Sequence, residues 1–137
     1  MSLRTGLAMG LVALGMLGAG PTVGEELQGY SGKQLFQRFC AACHGVEARG
    51  DGPVASYFKT TPPDLTRLAR RYGGKFPAAE VRRTIDGRTN LLPHGERTMP
   101  VWGLEFMLAE GSTPEAQQRA ESVISRLVDY LASIQEP

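Results

Sequence analysis

The sequence predicts a small all-α domain with long loops. Three observations carry this. No stretch shows the sustained apolar–polar alternation of a strand. Apolar residues recur at helical spacing in short segments that open on capping residues. Between those segments lie turns built from the chain's 17 glycines and 9 prolines. A length of 137 residues allows one domain and little more.

The first segment reads as a leader. Arg4 is the only charge before Glu25, Leu7 to Leu17 is mostly apolar, and Gly18, Ala19 and Gly20 follow. A positive start, a short apolar run and a small-residue exit describe a secretory signal peptide. The run is shorter than the roughly 20 residues a spanning helix needs. Cleavage is expected between Gly20 and Gly24, which divides the chain into a signal peptide at 1–24 and a domain at 25–137. An uncleaved anchor is the alternative, and only then is a membrane a partner. Export leads most simply to a bacterial periplasm, an oxidising compartment.

Residues 25–30 read as a flexible entry. Ser31 is the expected cap of a first helix over Gly32 to Cys40, with Leu35, Phe36 and Phe39 on its apolar face. Val46 to Pro63 is loop-like, with turn signals at Gly52-Pro53 and Pro62-Pro63. Asp64 caps a helix through Leu65 and Leu68 to Tyr72, stopped by Gly73-Gly74. Pro77 opens a helix carrying Val81 and Ile85, stopped by Gly87. Residues 88–103 are irregular, and Val101 to Leu108 overlaps their end as a short helix. Thr113-Pro114-Glu115 opens the last helix, whose stripe is Ala120, Val123, Ile124, Leu127, Leu131 and Ile134. Loops this long around so small a core point to something filling the middle.

Composition excludes several classes. A charged fraction of 21% argues against wholesale disorder, and a net charge of +1 against a nucleic-acid binder working by bulk charge. The charge is uneven, however. Lys59 to Arg97 holds nine basic and four acidic residues, and Met99 to Pro137 holds two basic and six acidic. Such a dipole can steer docking to a charged partner.

The chain's two cysteines stand together in Cys40-Ala-Ala-Cys43-His44. Cys-x-x-Cys-His is the attachment signature of c-type haem. Each thiol adds to one vinyl group of the porphyrin, and the adjacent histidine turns its imidazole to the iron. A thioredoxin-like reading needs a βαβ setting, which the pattern lacks. Zinc needs about four ligands. Cys40, Cys43, His44 and His94 meet that count, but adjacency of Cys43 and His44 makes tetrahedral ligation awkward. A Cys40–Cys43 disulfide closes a very small, strained loop.

For the second axial position, Met99 in Thr98-Met99-Pro100 is the leading candidate, with His94 the rival and an open site third. Met107, between Phe106 and Leu108, reads as core. The His44 Nδ1–H needs a carbonyl acceptor, and the Gly52-Pro53 turn is the candidate source. Arg67, Arg70, Arg71, Arg97 and Trp102 are candidates for the haem propionates.

Taken together, residues 30–134 resemble a class I cytochrome c. Gly32 and Phe36 before the haem motif are similar to that family's first helix. Gly52-Pro53 resembles the loop whose proline carbonyl receives the axial histidine's hydrogen bond. Thr98-Met99-Pro100 resembles the methionine loop, and Leu127, Tyr130 and Leu131 resemble the closing helix that crosses the first. Pro62-Pro63-Asp64-Leu65-Thr66 and His94 to Gly103 resemble a bacterial subgroup of small exported monohaem cytochromes. The resemblance implies helices wrapped on one covalent haem, with Met99 as distal ligand. It implies a one-electron carrier rather than an enzyme, working with redox partners. Those are a dehydrogenase, a quinol-oxidising complex or a terminal oxidase of a respiratory chain. Two other readings are a haem subunit of a larger redox complex and a ligand sensor with a displaceable sixth ligand.

Overall fold

The computed structural model describes residues 27–88 and 99–137. Among these the chain is helical, without a strand. Beyond residue 30, the described residues form six α-helices in order: α1 Gly32–Phe39, α2 Ala41–His44, α3 Leu68–Arg71, α4 Ala78–Asp86, α5 Trp102–Ala109 and α6 Pro114–Ser133. Two 3-10 turns, Ala55–Tyr57 and Leu65–Arg67, interrupt the loops.

Local chemistry explains the boundaries. Ser31 and Gln34 form a reciprocal capping box on α1. The Asp64 side chain accepts from the Thr66 N–H and opens the second 3-10 turn. Thr113 caps α6, with Pro114 in its first turn. Gly87, at φ 68°, ends α4. Pro77 proves to be the cap of α4 rather than its first residue, a shift of one position.

The core is made by α6. It buries Ala116, Ala120, Val123, Ile124, Leu127, Val128 and Leu131 against Leu35 and Phe36 of α1, Val81 and Ile85 of α4, and Phe106 of α5. The α1–α6 crossing is close. A Cβ on Gly32 would lie 2.1 Å from the Arg126 carbonyl oxygen and 2.8 Å from Tyr130 Cβ. Beside it, Phe36 and Tyr130 rings pack at 5.4 Å.

The entry segment is a correction to the sequence reading. Residues 27–29 form a helical turn, and Leu27 is 2% exposed in the core. Arg126 donates to the carbonyls of Leu27 at 3.1 Å, Gln28 at 2.8 Å and Tyr30 at 2.5 Å. Gln28 in turn donates to the Glu110 carboxylate at 2.8 Å, which Arg119 also pairs at 2.5 Å. A segment of low apolar content is thus docked by hydrogen bonds that reach across about the whole domain, which no local pattern reports.

Candidate haem site

Cys40, Cys43 and His44 follow directly from α1. The Cys40 N–H closes that helix on Phe36 O at 2.8 Å, and His44 N–H returns to Cys40 O at 2.9 Å. One turn of α2 therefore holds both thiols and the imidazole. The loop beyond folds back on this turn: N–H groups of Gly50, Gly52 and Val54 donate to the carbonyls of His44, Cys43 and Ala42. These bonds satisfy the carbonyls that a four-residue helix leaves open.

All three motif residues line a cavity of about 350 Å³. Leu65 and Leu68 come to it from the 3-10 turn and α3, Val81 and Ile85 from α4, and Leu131 from α6. Met99, Pro100 and Trp102 reach the same space. Trp102 is held by rings: it stacks on Phe106 at 5.7 Å and meets Phe39 at 5.7 Å. Polar lining comes from Thr60, Thr61, Thr84 and Glu80, the last ion-paired with Arg83.

Burial, helped by the neighbouring Cys43, pushes the Cys40 thiol up to about 12. The direction is opposite to the lowered value that activates the thiolate of a redox pair. No disulfide joins Cys40 to Cys43. Burial also pulls His44 below the usual imidazole value, against a hydrogen bond to the Pro63 carbonyl. A neutral imidazole is the form that ligates a metal. Among the described residues no group of three or more His, Cys, Asp and Glu side chains gathers as a metal cluster.

The acceptor for His44 corrects the sequence reading. Nδ1 lies 3.4 Å from Pro63 O. Pro53 is exposed and does not line the cavity. Its turn is occupied in satisfying the backbone of the motif, so the second proline turn, 19 residues beyond His44, comes to the ring instead. Arg67, Arg70 and Arg71 do not line the cavity either. Arg67 faces Asp64 at 3.5 Å, and Arg71 donates to the Asp64 carbonyl. Arg97, His94 and the leader at 1–24 lie outside the described residues.

A family model for cytochrome c matches residues 30–135. The chain belongs to the cytochrome c family. Neither curated proteins nor solved structures yield a match. The cofactor of this family is covalent haem c, and the residues present fit it. The chain's two cysteines open on one cavity, beside a neutral imidazole, a thioether and apolar walls. Haem-based electron transfer follows as the class of function, and redox proteins as the class of partner. Sequence reasoning missed Phe39, Phe58, Tyr72 and Pro63 as cavity residues. Val81, Ile85 and Leu131 were visible as apolar helix faces, but a face does not say whether it meets protein or cofactor.

Proposed function

We propose that this cytochrome c is an exported one-electron carrier with His44 and Met99 as axial ligands. Bound haem supplies one-electron exchange between ferric and ferrous iron. Cys40 and Cys43 would hold the haem covalently, and the Pro63 carbonyl would orient the His44 imidazole toward it. Met99 offers a thioether, which favours the ferrous state. Leu65, Leu68, Val81 and Ile85 exclude water, so little solvent reorganises when the charge changes. The observation that carries the reading is the convergence of Met99 and Cys40-Cys43-His44 on one cavity from distant parts of the chain. The leader pattern supports export to a periplasm, in a respiratory or dehydrogenase-linked chain.

Optical spectra of the exported protein test this, oxidised and reduced, with and without carbon monoxide. The expected result is covalent haem, six-coordinate in both states, with a thioether-to-iron charge-transfer band in the ferric form. Met99→Ala is expected to lose that band and to bind carbon monoxide when reduced, while Met107→Ala keeps the band. Rapid carbon monoxide binding by the unaltered protein points instead to a displaceable sixth ligand.

A further inference from the structure

The carbonyl that meets His44 belongs to a segment held by the C-terminus. Leu65, two residues after Pro63, donates its N–H to Ala48 O at 2.8 Å. Its own carbonyl accepts from Gln135 Nε2 at 2.9 Å. The same nitrogen donates to Leu131 O at 2.7 Å, and Gln135 Oε1 accepts from the Ala69 N–H at 2.8 Å. One residue on, the Glu136 N–H donates to Thr66 O at 2.8 Å. Gln135 thus joins the last turn of α6 to residues 65–69 with all its hydrogen-bonding types in use. Its neighbours offer two acceptors and one donor. A carboxylate would face two carbonyl oxygens, and an apolar side chain would leave three backbone groups without this partner.

We infer that Gln135 is a positioning residue for the axial imidazole: by holding residues 65–69 it sets where the Pro63 carbonyl stands against His44 Nδ1. The inference rests on the reading of His44 as axial ligand. A carbonyl accepting Nδ1–H makes the other ring nitrogen a stronger donor to the iron. That favours the ferric state and lowers the potential. Releasing the segment therefore raises the potential and exposes the Nδ1 proton. A simple loss of stability in α6 has no such signature.

The test uses the haem-loaded full chain. Gln135→Met keeps the length of the side chain and removes its hydrogen bonds. Val128→Ala is the uncharged control, since it weakens α6 at a buried site (5% exposed) that does not line the cavity. The expected result is a higher midpoint potential and about tenfold faster hydrogen exchange at His44 Nδ1 in Gln135→Met. Val128→Ala is expected to lose stability while keeping both properties. If Gln135→Met does not accumulate, Gln135→Glu is read by the exchange rate alone, because it retains the Ala69 bond and loses both donors. Unchanged exchange in Gln135→Glu, or an unchanged potential and exchange rate in Gln135→Met, overturns the inference while the axial reading stands. An unaltered protein whose spectrum shows no coordinated imidazole overturns the axial reading, and the inference with it.

Discussion

Asp64 shows how much one side chain contributes near the site. Its carboxylate accepts from the Thr66 hydroxyl at 2.6 Å and the Thr66 N–H at 2.9 Å. These bonds, led by the hydroxyl, hold it below the usual aspartate value. A carboxyl depressed on folding contributes its full stability above the unfolded value. It loses that contribution as pH falls through the lower, folded value. Asp64→Asn keeps an acceptor for the cap but does not titrate there. Thermal melts of the two proteins are therefore expected to run parallel near neutrality. Below about pH 4 the native protein is expected to lose stability more steeply. Asp64→Ala removes the cap altogether and is expected to cost about 1 kcal/mol at neutral pH. Two prolines that precede Asp64 differ from each other. Both Pro53 and Pro63 read as turn residues, and only the folded chain distinguishes the one that reaches His44.

Among the helices, α1 and α6 show the clearest agreement between pattern and packing. Spacing marks Leu35 and Phe36 on one and Val123, Ile124, Leu127 and Leu131 on the other, and all six are buried. Burial at that level makes Leu127→Ala a loss of roughly 2–5 kcal/mol. The approach of the two helices depends on Gly32, where a methyl group meets backbone at 2.1 Å rather than a yielding side chain. Gly32→Ala is expected to destabilise the protein by about 1–3 kcal/mol in denaturant titrations. It is expected to leave the haem spectrum intact, because the crossing lies outside the cavity lining. Helix α5 behaves differently: Trp102, Leu104, Phe106, Met107 and Leu108 give it apolar residues on most sides. Only tertiary contacts decide that Phe106 enters the core, Trp102 lines the cavity, and Leu104 and Leu108 stay exposed.

At the scale of the whole molecule, two lysines of the basic stretch acquire a meaning relative to the cavity. Lys59 lies between the cavity residues Phe58 and Thr60, and Lys75 precedes Phe76 and the cavity residue Pro77. Tyr72, 54% exposed, also lines the cavity. Positive charge next in sequence to cavity residues is expected to speed association with acidic redox proteins, an effect that salt screens. Stopped-flow electron transfer to an acidic redox protein is expected to slow as ionic strength rises. Lys59→Glu combined with Lys75→Glu is expected to flatten that dependence. A rate indifferent to salt in the unaltered protein counts against charge-steered docking.

Local order along the chain was enough for the helical class, most caps and the haem motif. Caps, turns and Cys-x-x-Cys-His act over a few residues, so their chemistry is written in adjacent letters. Met99 could be proposed from its Pro-flanked setting, but its presence at the same cavity as His44 is a fact of folding. The choice of Pro63 over Pro53, the burial of Leu27, and the bonds of Arg126 and Gln135 were decided only in three dimensions. In each case a polar group at one position meets a backbone partner many residues away. Backbone carbonyls and N–H groups are alike at nearly every residue, so sequence alone does not mark which of them a distant side chain will find.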